Sequence, residues 1–247
     1  MLDYSFSILN LRRRADRRER FINHHTNLGY DAKDIHFHYG RDGKNYTDIN
    51  AMRDEMVALY PQLQNYQALG FGNIGCLWGA CELFEAFING TPDSEFIYYN
   101  QDDHFMCLRK KQFDRVLEDF IKFDPNLSCL KLYWHSMTEF PEKFQISGYD
   151  FTKAWWGFGD SGIFMDRKAA KTLLKWSLDQ ACFVDQIMTQ HNSPRGFYSY
   201  CRQDMIKDIP FGNAFAKDSY DPKEDRVIEN TRTKDKSGMG SWDYYQE

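Results

Sequence analysis

The sequence predicts an α/β protein with a largely parallel central sheet, and three observations predict it. Short apolar, β-prone runs alternate with segments whose apolar residues recur at helical spacing, the order that layers helices on a sheet. One of these runs, Phe96 to Tyr99, ends abruptly in Asn100-Gln-Asp-Asp103, so a strand hands carboxylates to a loop. A chain of 247 residues suffices for one large domain or at most two small ones, with a core that needs no disulfide or structural metal to hold it.

Taken in order, Tyr4 to Leu11 is rich in Phe, Ile and Leu and reads as a strand. Arg13 to Leu28 then turns polar, with Phe21 and Ile22 as apolar contacts and Gly29 as a stop, which is a helix. Asp34 to Tyr39 is a second short strand closing on the turn Gly40-Arg-Asp-Gly43, whose glycines permit positive φ. Ile49, Met52, Met56 and Leu59 keep helical spacing up to Pro61, and Ile74, Leu77, Cys81, Phe84 and Ile88 keep it up to Gly90. Beyond the strand at Phe96, a helix is marked by Phe113, Val116, Leu117, Phe120 and Ile121, and Cys129 to Trp134 is again strand-like. Gly162 to Met165 leads into Asp166 as a helix cap, with Ala170, Leu173, Leu174 and Leu178 on the buried face. Val184 to His191 is read as a short helix and Met205 to Ile209 as a late strand. The expected organisation is a single domain over residues 1–216 followed by a polar tail over 217–247, extended because it holds few apolar residues.

Composition narrows the function classes. Aromatic residues make up 17% of the chain, more than a core requires, so some rings are expected to line a ligand groove. A net charge of −5 carries no global footprint for nucleic acid or anionic membrane and leaves room only for a local basic patch. The six cysteines include no Cys-x-x-Cys pair, and Cys76 and Cys81 splay apart on a helix, which suits free thiols in a reducing compartment. The apolar stretch from Tyr4 follows Asp3 and precedes its arginines, the reverse of a secretory signal, and is too short to span a bilayer. A cytoplasmic protein with no transmembrane segment is therefore expected, and the sequons at Asn45, Asn89 and Asn126 are chance matches.

Two segments carry chemistry. Asp102 and Asp103, at the end of an apolar strand, have the placement that holds a hard divalent cation beside a polyphosphate; the alternative is that they only end the strand and cap its turn. The run from Asn10 to Phe21 gathers guanidinium groups at the first strand-to-helix junction, where helix N-terminal amides also favour anions; the alternative is a solvated helix face paired with Asp16 and Glu19. Trp155 and Trp156 suit stacking on sugar faces or packing in a core. Among the histidines no metal-ligand spacing stands out, although His36 and His38 share a strand face.

The run Leu9-Asn-Leu-Arg-Arg-Arg-Ala-Asp-Arg-Arg-Glu-Arg-Phe21 resembles the opening INLDRRPDRRERF-type motif of glycosyltransferase family 25, the group that includes lipopolysaccharide-biosynthesis and procollagen galactosyltransferases. Further segments match in order. Gly40-Arg-Asp-Gly43 is similar to its A-x-D-G turn, Gly72-Asn-Ile-Gly-Cys-Leu-Trp-Gly79 to its G-E-I-G-C-x-x-S-H helix start, and Gln101-Asp-Asp103 stands where the family has Glu-Asp-Asp. Gly159-Asp-Ser-Gly-Ile-Phe-Met-Asp-Arg-Lys-Ala-Ala170 resembles G-x-x-A-Y-x-I-S-R-x-G-A, Val184-Asp-Gln-Ile187 resembles V-D-x-x-L, and Gln203 to Ile209 echoes Q-x-x-x-S-D-I. The sequence departs from the pattern at Arg12 (Asp in the family), Asn73 (Glu), Gly79-Ala80 (Ser-His), Gln101 (Glu) and Lys207 (Ser).

The resemblance implies a GT-A type, Rossmann-like sandwich that moves a hexose from a nucleotide sugar, UDP-linked, to a hydroxyl of a glycan, glycoprotein or lipopolysaccharide, with Mn²⁺ or Mg²⁺ and inversion. It implies Asp103 and Asp102 at the metal, and Asn10, Leu11, Arg13, Arg17, Asp42, Gly43, Gly75, Gln101 and Asp102 at the donor. Asp185 is the first choice as catalytic base and Asp160 the second, with Trp155 and Trp156 on the acceptor side. Two other readings stay open. Gln101 and the missing Ser-His keep alive a nucleotide-sugar or carbohydrate binder that has lost turnover, and the same donor site could serve an enzyme glycosylating hydroxylated DNA bases, which would need a basic acceptor groove.

Overall fold

The structure, a computed structural model, describes residues 2–68, 70–133, 142–153, 161–182 and 194–201, together with two-residue strands at 213–214, 220–221 and 226–227. The chain runs β1 (Tyr4–Asn10), α1 (Ala15–Asn27), β2 (Ile35–Tyr39), α2 (Ile49–Leu59), α3 (Phe71–Ile88), β3 (Phe96–Gln101), β4 (His104–Phe105), α4 (Lys110–Phe123) and β5 (Cys129–Lys131). It continues through β6 (Phe144–Ile146), β7 (Tyr149–Thr152), β8 (Ile163–Asp166), α5 (Arg167–Gln180) and β9 (Phe197–Tyr200).

Eight strands form one open sheet in the order β2-β1-β3-β8-β5-β9-β7-β6. β1 pairs in parallel with β2 and β3, and β5 with β9, while β8 runs against β3 and β5, and β7 against β9 and β6. Six of the eight strands therefore share a direction, but the sheet is mixed rather than largely parallel. The α/β class is as expected, and the arrangement is compatible with a Rossmann-like fold. Part of the mixing comes from a tight hairpin: Ser147 (φ 51°) and Gly148 (φ 84°) both take positive φ, the two-residue geometry that joins antiparallel neighbours such as β6 and β7.

Alternation along the strands divides the core into layers. Phe96 and Tyr98 of β3 join Phe6 and Ile8 of β1 against Phe21 of α1 and Phe113, Leu117 and Phe120 of α4. Ile97 and Tyr99 face the other way, onto Leu83, Phe84 and Phe87 of α3 and Ala169, Ala170 and Leu173 of α5. Burial of each such large side chain stabilises by about 1.5–3 kcal/mol, so the sheet is clamped from both faces. A third cluster, with Met52, Met56, Leu63 and Trp78 fully buried, ties α2 to α3.

Two of the five described α-helices begin at an aspartate side-chain cap. Asp48 accepts from the N–H groups of Asn50 and Ala51 at the head of α2, and Asp166 accepts from Ala169 N–H at the head of α5. The turn at Gly40 to Gly43 works differently from the expectation. Neither glycine takes positive φ; Gly40 is needed for close approach, since a Cβ there would lie 3.1 Å from Leu9 Cδ1. The expected helix Val184–His191 and strand Met205–Ile209 fall outside the described residues, as does most of the tail. Two strand fragments lie in that tail, Tyr220–Asp221 pairing with Arg226–Val227.

Gly162 is the most constrained glycine near the sheet's C-terminal end. Its φ is +69°, and a Cβ would sit 2.5 Å from Tyr133 Cβ and 3.1 Å from Tyr133 N. Gly162→Ala is expected to lower unfolding free energy by roughly 1–3 kcal/mol or more. Gly90→Ala, at φ +92° with nothing within 4 Å, carries only the backbone strain and should lose less. Urea unfolding of the two variants side by side checks the difference.

Candidate functional site

The parallel register of β1 and β3, with Leu9 opposite Gln101, brings the loops that follow them to one end of the sheet. Ligands gather at such strand ends in α/β sheets. The ladder runs one step further, because Asp102 N–H donates to Leu9 O at 3.1 Å. Asp102 is 6% exposed and has both carboxylate oxygens engaged: Oδ2 accepts from Asn10 Nδ2 at 2.6 Å and Oδ1 from Arg17 Nη1 at 2.8 Å. The same Arg17 nitrogen lies 3.9 Å from Asp103 Oδ2, and Asp103 is 7% exposed. Burial works against the charge on Arg17, but the Asp102 and Asp103 carboxylates more than offset it and raise its pKa.

Asn10 is the hub of this arrangement. Its Oδ1 accepts from Arg18 Nη1 at 2.9 Å, and the same guanidinium donates to Leu11 O at 3.3 Å and Arg12 O at 2.9 Å. The loop between β1 and α1 is thereby drawn onto the first turns of its own helix. On its outer side the Arg12 guanidinium lies over the Tyr39 ring, 4.5 Å from the centroid, and Arg13 Nε donates to Asp42 Oδ2 at 2.6 Å. Asp42 uses its other oxygen to accept from Lys44 N–H, capping the short turn that opens at buried Gly43. Arg12, Arg13, Tyr39, Arg41 and Tyr46 border a cleft of about 490 Å³. Arg41 stacks over Trp78 at 4.7 Å and pairs with Glu82 at 2.8 Å. Burial pushes the Glu82 carboxyl up, but His38 and Arg41 beside it hold it below its ordinary value.

Gln101 diverges from the carboxylates that follow it. Its side chain turns toward α3, with Nε2 at 3.7 Å from Cys76 Sγ, and its N–H donates to Ser161 Oγ at 3.1 Å. The α3 backbone comes close here, Gly75 O lying 3.8 Å from where a Gly40 Cβ would stand. Downstream, two consecutive histidines of α1 clamp one residue: His24 Nε2–H donates to Met106 O at 2.6 Å, and Met106 N–H donates to His25 Nε2 at 3.3 Å. His25 Nδ1–H in turn donates to Phe21 O at 2.8 Å, so the ring must be neutral to play both parts.

Asn10, Leu11, Arg13, Arg17, Asp42, Gly43, Gly75, Gln101, Asp102 and Asp103 thus come together at one end of the sheet. Trp155, Trp156, Asp160 and Asp185 lie outside the described residues. Sequence reasoning missed Arg18, Tyr39, Arg41 and Ser161. Only Arg18 carried a signal, its place one residue after Arg17 on a helix whose first turns must hold the preceding loop. Among the described residues no group of three His, Cys, Asp or Glu side chains converges on a common point, and no helix is long and apolar enough to cross a membrane. All six cysteines are free thiols. Chemically, the site presents guanidinium groups at an open cleft and, tied to the same loop, a buried carboxylate pair held by Arg17. Compared with known proteins, the chain matches no family model and no curated protein.

The histidine clamp makes the loop acid-sensitive. Burial, then His24, holds the pKa of His25 well below the ordinary 6.5. An unfolded histidine then binds more protons than the folded one, so the stability contributed by neutral His25 is full above about pH 6.5 and is lost as pH falls, by up to about 1.4 kcal/mol per pH unit. His25→Gln should lower Tm at neutral pH by losing ring packing, yet flatten the fall in Tm between about pH 7 and about pH 5. Thermal unfolding across that window, wild type against variant, checks it.

Proposed function

We propose that the chain is a glycosyltransferase of GT-A type that moves a hexose from a UDP-linked sugar to an acceptor hydroxyl, as its resemblance to glycosyltransferase family 25 implies. One observation carries this reading: the loop bearing Arg12 and Arg13, which lines a cleft of about 490 Å³, is bound through Asn10 and Arg17 to the loop bearing Asp102 and Asp103. A cationic loop joined to a carboxylate loop is what a nucleoside diphosphate with a bridging cation requires.

A Mg²⁺-type ion is ordinarily held by one or two carboxylates and completed by substrate phosphates. On the resemblance, Asp103 is the residue that would hold it; both oxygens of Asp102 accept N–H groups, and Gln101 is turned toward Cys76. Mn²⁺ or Mg²⁺ held there would supply Lewis-acid neutralisation of the leaving diphosphate. Arg12 and Arg13 bind the diphosphate from the cleft side, Tyr39 and Tyr46 flank the nucleoside, and Asp102 acts by fixing Arg17. On the resemblance, Asp185 takes the proton from the acceptor hydroxyl, with Asp160 as the other candidate, Trp155 and Trp156 hold the acceptor, and transfer inverts the anomeric carbon. The six free thiols support a reducing, cytoplasmic setting.

A second reading has its own observation. Gln101 brings no charge, and Asp102 is neutralised by Arg17, so the cation site is weak, as in a nucleotide-sugar or carbohydrate binder without turnover. Nucleotide-sugar hydrolysis with and without Mn²⁺ separates the two.

Asp103→Ala should remove the Mn²⁺-dependent part of UDP affinity, a loss of about tenfold or more, while the metal-free affinity set by the arginines persists. Calorimetric titration of UDP checks this, and an unchanged affinity would remove Asp103 from the metal. Asp185→Asn keeps shape and hydrogen-bonding capacity but not basicity, so turnover should fall by roughly 10²-fold or more with donor binding nearly unchanged. Run beside it, Asp160→Asn decides between the bases: full activity for Asp185→Asn with collapse for Asp160→Asn moves the role to residue 160.

A further inference from the structure

Lys131, the last residue of β5, is 0% exposed in the middle of the sheet, flanked by Ile163 of β8 and Ser199 of β9. Taking an ammonium out of water costs several kcal/mol, and apolar residues of like volume commonly replace buried ions without loss of stability. The fold alone therefore gives no reason for a charge at this position, and its contacts supply one.

Lys131 Nζ donates to Ser161 O at 2.6 Å, a short charge-assisted bond. Ser161 is itself buried, and its Oγ accepts the N–H of Gln101 at 3.1 Å. The next residue is stitched to the same two strands: Gly162 N–H donates to Tyr99 O at 3.0 Å and Asn100 Oδ1 at 2.9 Å, and Gly162 O accepts from Leu132 N–H at 2.7 Å. Gln101 runs directly into Asp102 and Asp103. The ammonium is thus linked to the carboxylate loop through one residue, by a bond to its carbonyl and a bond to its hydroxyl.

We propose that Lys131 is a positioning residue for the transfer step: through Ser161 it fixes the Gln101–Asp103 turn against the chain that enters β8. The catalytic part of this inference rests on the glycosyltransferase reading; the mechanical part does not. Lys131 touches no reacting atom. It acts by denying the turn the freedom to slide along β8, and displacements of that kind at a reacting centre cost roughly 10²-fold in rate.

The test uses the full chain and three variants. Lys131→Met keeps the stem and removes the donor, Lys131→Arg restores a cationic donor, and Ser161→Ala removes the hydroxyl while leaving the carbonyl that Lys131 holds. Amide hydrogen exchange needs no substrate. Lys131→Met and Ser161→Ala should speed exchange in a peptide over residues 96–105 by about tenfold or more, with α4 unchanged, and Lys131→Arg should return it toward wild type. Unchanged exchange in both variants, or a rise spread evenly over the helices, overturns the proposal. Should Lys131→Met fail to fold, Ser161→Ala decides by the same readout. With UDP-hexose turnover in the wild type, Lys131→Met should lower kcat by roughly 10²-fold with KM for the donor nearly unchanged, and Lys131→Arg should recover part of it. Faster exchange with unchanged kcat overturns the catalytic role. A wild type that neither hydrolyses nor transfers from any UDP-hexose overturns the glycosyltransferase reading and with it the catalytic role, and the exchange result then decides the mechanical role alone.

Discussion

A guanidinium and a carboxylate held together with little access to water organise this end of the molecule. The side chains of Arg17 and Asp102 are 12% and 8% exposed and meet at 2.8 Å. Such a pair survives burial only when further hydrogen bonds satisfy it, and removing one partner typically costs about 3–5 kcal/mol. Asn10 supplies the further bond to Asp102, and so the pair binds three elements at once: the end of β1, the first turn of α1 and the loop after β3. The rest of the site follows from that constraint. With Arg17 turned inward, Arg18 is carried to the carbonyls of Leu11 and Arg12, and the β1–α1 loop has one shape available to it.

Loops that carry function are usually the mobile parts of a fold. Here the segment from Gln101 to Met106 is tied down residue by residue. The N–H groups of Gln101 and Asp102 go to Ser161 and Leu9, and the N–H and C=O of Met106 go to His25 and His24. These tethers come from α1, β1 and the start of β8, each a rigid element with its own core contacts. The ordering is done on folding rather than on binding, which is the condition under which a charged site acts on a ligand without reorganising first.

The parts legible in the sequence are those with a period or a local signal. Alternation marked β3, helical spacing marked α2 through α5, and Asp166 announced its cap. Strand direction has no periodic signature, so the reversed placement of β8 between β3 and β5 was invisible, and β6 and β7 are too short to alternate convincingly. At the site, residue type was readable and partnership was not. Adjacent Asp102 and Asp103 look equivalent as letters, yet only tertiary contacts show that both oxygens of Asp102 are occupied. Lys131 sits in an apolar run where its charge looks like a surface residue, and burial alone makes it unusual. The glycine at residue 79 also has a local cause, since a Cβ there would stand 2.5 Å from Leu9 Cδ1 and 3.5 Å from Gly40 Cα.

Net charge was the least informative number, because it sums groups that cancel one another in space. Arg13 is matched by Asp42, Arg14 by Asp16, Arg17 by Asp102 and Arg41 by Glu82, so four of the cations around the cleft bring little free field. Arg18 is engaged by Asn10 and two carbonyls. Arg12 differs: among the described residues its contact is the face of Tyr39, with no carboxylate in ion-pair range. An aromatic face positions a guanidinium while leaving its in-plane donors available to an anion. That guanidinium lines the cleft. Arg12 is therefore a cleft guanidinium whose charge no described carboxylate offsets, held in place by the Tyr39 ring.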